Sequence, residues 1–237
     1  DAFYAAGTYW NEAVGRSAAQ VLHERNQCRH RVLHVLRALG RASQLRVLDI
    51  GAGHGWTGHW LERLSSGALS AFEFVEPDEA CSAEILARRT TYTTTRVTSL
   101  AAARPGYDVI FLNHVLEHVA EPLATVHEVR RLLAPGGVAY FEMPNADQHF
   151  KADVFPHTWF FTPRALDGLA VRAGINPVMR EAFGRMPGRG TADLAWRAAF
   201  RASAELGLAD LAGVFDDRIW RYEACPEGIW LRWLVRL

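Results

Sequence analysis

The side chains best suited to chemistry are carboxylates and histidines placed beside glycine-rich or strand-ending turns. Asp49 lies in Val47-Leu-Asp-Ile-Gly-Ala-Gly-His-Gly55, where an apolar run gives way to Gly51, Gly53 and Gly55. Glycines at such a turn let a ligand approach the backbone, because no Cβ stands in the way. A carboxylate there suits a cationic or amino-bearing ligand better than a pyrophosphate, which needs free N–H groups and no nearby anion. Glu76 follows the apolar run Leu69-Ser-Ala-Phe-Glu-Phe-Val75. An acid at the end of a second strand can accept both hydroxyls of a ribose. His114, His118, His149 and His157 are candidate proton acceptors, since imidazole exchanges protons near neutral pH. His157 sits in a long aromatic and polar loop and is the expected base or substrate contact. His118 is either a second such group or a structural hydrogen-bonder at a helix start. Glu142 and Asp147 are further candidates.

These groups need elements to position them. Arg46 to Ile50 reads as a buried parallel strand, and Trp56 to Leu64 as the helix after the glycine turn. A second strand at 69–75, a helix from about Glu79 to Arg89 with Asp78 as its N-cap, and a third strand near Thr93–Val97 follow. Tyr107 to Leu112 is a fourth strand, Leu123 to Leu133 an amphipathic helix, and Val138 to Met143 a fifth strand. Ala134-Pro-Gly-Gly137 separates the last two. Thr162 caps a helix over 164–173 with Pro163 in its first turn. Strands over Asn176–Phe183 and Glu227–Leu237 complete the list. Glu12 to Leu39 and Ala192 to about Leu211 are helical. Alternation of strands and helices predicts an α/β fold with a doubly wound sheet.

The stretch Val47 to Gly55 resembles motif I of the class I S-adenosylmethionine-dependent methyltransferases. Trp56 stands where a dinucleotide fingerprint would carry its third glycine, so the pattern is G-x-G-x-G. Three further segments resemble that family: Asn113-His-Val-Leu-Glu-His118, Leu132-Leu-Ala-Pro-Gly-Gly137 before a strand, and His157-Thr-Trp-Phe-Phe-Thr162 before a helix. The resemblance covers about residues 45–145. It implies a seven-stranded Rossmann-like sheet, mostly parallel with an antiparallel last strand. It implies an N-terminal helical lid (1–45) and a methyltransferase domain (46–237) with a helical insertion at about 191–213. It also implies a site for S-adenosylmethionine, leaving as S-adenosylhomocysteine, built from Asp49, Gly51, Ala52, Gly53, Glu76, Pro77, Ser99, Asn113 and His114. Tyr9 of the lid is expected beside that ligand or packed on the core. The family often carries an acid after the third strand to bind the adenine amino group. Here that stretch is Thr98-Ser-Leu100, so adenine would rest on Ser99, backbone groups and apolar walls.

Other patterns bound the reading. His114-Val-Leu-Glu117-His118 matches H-x-x-E-H, but zinc would need both histidines on one helix face and a carboxylate ligand downstream. Here they straddle a strand exit and Glu121-Pro122 starts a new helix, so no metal is expected. His30 and His34 share a helix face at i, i+4 spacing, expected to be solvated. The 237 residues carry 26 basic and 26 acidic side chains, which gives no basic footprint for nucleic acid. Cys28, Cys81 and Cys225 form no C-x-x-C, and no apolar run is long enough to span a membrane. The expected setting is cytoplasmic, as a monomer or homodimer. The expected reaction is methyl transfer to a small molecule, an oxygen of a natural product or sugar-like acceptor. An RNA or protein methyltransferase, a nicotinamide dehydrogenase and a non-catalytic cofactor-binding scaffold stand as alternatives.

Overall fold

Leu45–Ile50 (β1) is a hydrophobic run buried on both faces, and it ends because Gly51 takes φ +71°. Gly55, at φ +66°, opens the helix Trp56–Leu64 (α2). The computed structural model describes residues 17–40, 43–148, 157–184 and 190–236. Tyr9, Trp10 and His149 lie outside the described residues. Leu69–Val75 (β2), Glu79–Ala87 (α3) and Thr93–Arg96 (β3) follow. Asp78 caps α3 as expected, its carboxylate accepting from the Cys81 N–H at 2.9 Å. Tyr107–Asn113 (β4), Pro122–Leu132 (α4), Leu133–Pro144 (β5), Pro163–Ala173 (α5) and Pro177–Phe183 (β6) come next. Trp230–Arg236 (β7) completes the sheet.

The sheet has seven strands in the order β3-β2-β1-β4-β5-β7-β6. Described pairings are parallel except those of β7, which runs antiparallel to both β5 and β6. This is the doubly wound sheet expected from sequence. The strand order reverses between β1 and β4, and such a switch point opens a crevice at the carboxyl ends of the strands. One apolar layer joins Ile110, Leu112, Phe141 and Trp233 to α4 and α5. The other joins Val47, Phe72, Phe111 and Tyr140 to Val32, Val35 and Leu61. One boundary differs from expectation. β5 begins at Leu133 directly after α4, and Ala134-Pro-Gly-Gly137 is an irregularity inside it, where Tyr107 pairs with Leu133 and Val109 already with Val138. Gly137 is needed there, since a Cβ would meet the Ala134 and Tyr107 carbonyl oxygens at 2.9 Å.

Ala18–Leu39 (α1) packs on one face of the sheet, its first part bordering the crevice at the carboxyl ends. Ser17 and Gln20 close its first turn as a capping box, and Gly40 ends it in the left-handed region. The segment expected to be helical from Ala192 to about Leu211 is two helices, Thr191–Glu205 (α6) and Ala209–Trp220 (α7), with Gly207 at φ +71° between them. Both pack on α1. The histidines of α1 therefore do not form a solvated face. His23 Nδ1 lies 2.7 Å from Asp216 and His30 Nε2 2.7 Å from Asp217. Burial and the Arg232 charge push His34 down to about 4.

Candidate active site

A cavity of about 750 Å³ sits at the switch point. α1 supplies one wall through Gln20, His23, Glu24, Gln27, Cys28 and Arg31. The opposite wall is the loops after β1, β2, β3 and β4. Gly51, Ala52, Gly53, Glu76, Pro77, Ser99, Asn113 and His114, all expected from sequence, line it together. The turn between β1 and α2 is fitted closely. A Cβ at Gly51 would stand 2.5 Å from Val115 Cγ2, and one at Gly55 2.8 Å from Ile85.

Asp49 stands just behind this lining, at the end of β1. It is 1% exposed, and neither carboxylate oxygen has a hydrogen-bond partner. Burial pushes its carboxyl from the ordinary 3.8 up to about 7. Thr57 and Arg31 pull the other way. An unsatisfied buried carboxylate is costly, so this position wants a donor from outside the chain. Glu76 accepts from the Gly53 N–H at 2.7 Å and the Asp78 N–H at 2.8 Å. Burial raises its pKa, against those two backbone donors. One bond to each oxygen leaves lone pairs that a ligand's hydroxyls can use. Beside Glu76, Val75, Pro77 and Leu100 give apolar surface and Thr98 and Ser99 give hydroxyls. No carboxylate follows β3, as the sequence predicts.

On the β4 side, Asn113 Oδ1 is buried and unpartnered. His114 adopts φ +53°, which turns its ring between two carboxylates. Nδ1 lies 3.2 Å from Glu117 and Nε2 3.2 Å from Glu142. Against the cost of burial, those bonds raise His114 to about 9, so the ring is a cation at neutral pH. Arg31 of α1 closes the chain of charges by pairing with Glu142. Against its own burial, Glu142 is held well below the usual carboxylate range by Arg31 and His114. Glu142 is therefore a fixed anion and not the proton acceptor considered from sequence. Arg31 was missed by sequence reasoning, because its partner is 111 residues away. The signal available was a charged residue in line with Cys28 and Val35, both buried in α1. Asp147 is exposed beside Asn145.

His118 lines the cavity and His157 does not, but their rings lie 4.7 Å apart. The two segments are tied together: the Glu117 carbonyl accepts from the Thr158 and Trp159 N–H groups at 2.9 and 3.1 Å. Trp159 Nε1 donates to the Val119 carbonyl at 2.8 Å. The loop before α5 thus brings an imidazole to the exit of β4, but His157, expected to face the substrate, lies beside His118 and not among the residues that line the cavity.

No helix among the described residues is long and apolar enough to cross a membrane. The methyltransferase-domain family matches residues 21–179. The ubiquinone biosynthesis O-methyltransferase of Cereibacter sphaeroides is 33% identical over 154 residues, covering 58% of this chain and 62% of that protein. That of Ruegeria sp. is 32% identical over 156 residues, covering 59% and 63%. The chain thus spans just over three fifths of the length of these relatives. Among solved structures, an S-adenosylmethionine-dependent methyltransferase from Mesorhizobium loti superposes with TM-score 0.54 at 18% identity, over 85% of this chain and 95% of that one. Haemonchus contortus phosphoethanolamine N-methyltransferase 2, solved with S-adenosyl-L-methionine, gives TM-score 0.59 at 17% identity, over 87% of this chain and 52% of that one. With its sheet order, its glycine turn and two thirds of its length matched to the family, this chain belongs to the class I S-adenosylmethionine-dependent methyltransferases.

Proposed function

We propose that this chain transfers a methyl group from S-adenosylmethionine to a hydroxyl oxygen of a small molecule, of natural-product or sugar-like type. The observation that carries the reading is the unpaired Asp49 carboxylate behind a glycine turn whose neighbouring strand ends in Glu76. The names of the ubiquinone O-methyltransferase relatives support oxygen as the target.

Residue roles follow from position. Glu76 accepts the ribose hydroxyls. Asp49 and Asn113 Oδ1 take up the amino end, directly or through water, which satisfies atoms the chain leaves bare. Val75, Pro77 and Leu100 hold the adenine face, with Thr98 and Ser99 at its edge. Gly51, Ala52 and Gly53 let the ligand touch backbone, and His114 is locked as a cation beside it. The cofactor supplies a methyl carbon on a sulfonium, already joined to a good leaving group. The chain must then orient the acceptor, exclude water and take its proton; orientation alone can remove several kcal/mol of barrier, up to about 7–11. α1 serves as the lid that excludes water, and the Glu117–His118–His157 cluster handles the proton. Calorimetric titration with S-adenosylhomocysteine, and separately with NAD, tests the reading. Expected are S-adenosylhomocysteine binding weakened at least about tenfold by Asp49→Ala and by Glu76→Ala, and no NAD binding. Binding of NAD instead, or of neither, overturns it.

A further inference from the structure

We infer that Glu117, His118 and His157 form a site for a borderline divalent cation such as zinc, at the acceptor end of the cavity. One ligand atom from each residue lies within 4.8 Å of the other two. Two imidazoles and a carboxylate suit zinc, cobalt or ferrous iron, whereas magnesium and calcium prefer all-oxygen sites. The arrangement bears the marks of a built site. Glu117 is 1% exposed. One of its oxygens holds His114 Nδ1 at 3.2 Å, and the other, Oε2, is buried with no partner. A buried carboxylate oxygen with no partner, on a side chain packed beside two imidazoles, is costly unless something positive reaches it. His114, clamped in turn by Glu142, fixes the angle of that carboxylate, the outer-shell support that metal ligands need.

The expectation of no metal rested on His114 and His118 sharing no helix face. The fold answers differently: His114 is a supporting group, and the third ligand is His157, 39 residues downstream of His118. The backbone bonds from Thr158 and Trp159 to Glu117 already hold that segment in place. Around zinc bound at about 2.0–2.1 Å, tetrahedral donors stand roughly 3.4 Å apart, so side-chain rotation that closes the donors by up to about 1.4 Å completes the set.

Three protein ligands leave a coordination position open, the arrangement of a working rather than a structural metal. Since His118 also lines the cavity, the open position faces the acceptor. Its ligand is the acceptor hydroxyl: with the ion in place the cluster handles the proton by lowering that hydroxyl's pKa, so that the proton passes to bulk water as the acceptor binds, rather than by accepting it on a side chain. This assignment of the acceptor's place rests on the methyl-transfer reading; the metal site itself does not.

The test uses tag-free protein stripped with chelator and titrated with Co²⁺ and, separately, Zn²⁺. Visible d–d absorption reports tetrahedral Co²⁺, and S-adenosylhomocysteine binding is followed on the same samples. Expected is one ion per chain. His157→Ala, which alters only a half-buried loop residue, should weaken uptake by about 100-fold or more, beyond the 10–100-fold usual for outer-shell partners. His118→Ala should do the same, with thermal melts confirming that both variants fold. No uptake by the unaltered protein, or uptake unchanged in folded His157→Ala, sinks the site and leaves a hydrogen-bonded histidine–glutamate cluster only. S-adenosylhomocysteine binding in that case would leave the methyl-transfer reading standing. Metal uptake with no S-adenosylhomocysteine binding would support the site and overturn that reading instead.

Discussion

Asp49 carries a cost to stability that its proposed binding role would explain. Its folded pKa, about 7, lies above the ordinary 3.8 because burial disfavours the anion. A group shifted this way contributes its stability in acid and loses it as pH rises through the folded value. At neutral pH and above, the cofactor-free protein therefore carries a penalty with a ceiling near 4 kcal/mol. Asp49→Asn, which cannot ionise, should be more stable than the unaltered protein by about 2–4 kcal/mol at pH 8 and by less than half that near pH 5. Urea unfolding of the cofactor-free forms at both values would measure this; an equal difference at the two would show that Asp49 does not titrate with folding. The same variant should bind S-adenosylhomocysteine more weakly. Asp49 would then be a residue kept for the ligand it awaits.

At the scale of elements, the glycine turn was legible because its cause is local. Strand, turn and helix occupy 45–64, and Gly51 must take φ +71° against Val115. Gly51→Ala meets both a disfavoured backbone and a methyl group at 2.5 Å. It should cost about 2 kcal/mol or more and weaken cofactor binding. Adding Val115→Ala should return part of the loss, since it removes the clash and leaves the backbone strain. No recovery in thermal melts of the double variant would place the whole cost in the backbone. The seven strands and α2 to α5 were readable in the same way from apolar periodicity and capping residues, though β5 starts earlier than its apolar run. What resisted was pairing across distance. Nothing near Arg31 announces Glu142, and nothing near His118 announces His157. The insertion read as one helix because the break at Gly207 sits within an otherwise helical pattern. His30 looked solvated because its partner, Asp217, lies 187 residues away in α7, and His34 because its burial comes from tertiary packing.

Across the whole molecule, two of the polar attachments of α1 reach far along the chain. One is Arg31 with Glu142 on β5. The other joins Asn26, Arg29 and His30 to Asp217, at 2.7 Å in each case. Removing one member of a buried pair leaves the other charged and unsolvated. Arg31→Met should therefore destabilise by about 3–5 kcal/mol, and Glu142→Gln added to it should recover part of that loss. A double-mutant cycle in urea checks this; additive losses would show that the two side chains are not coupled. The antiparallel β7 carries a different consequence. β6 is joined to the sheet through β7 alone, and β5 presents Val138 to Met143 toward the same gap. During synthesis, both older strands must wait with open edges until β7 leaves the ribosome. An exposed apolar strand edge invites pairing with another chain. The nascent polypeptide is thus most vulnerable to aggregation in the interval between completing β5 and releasing β7, and a chaperone's hold on it would matter most there.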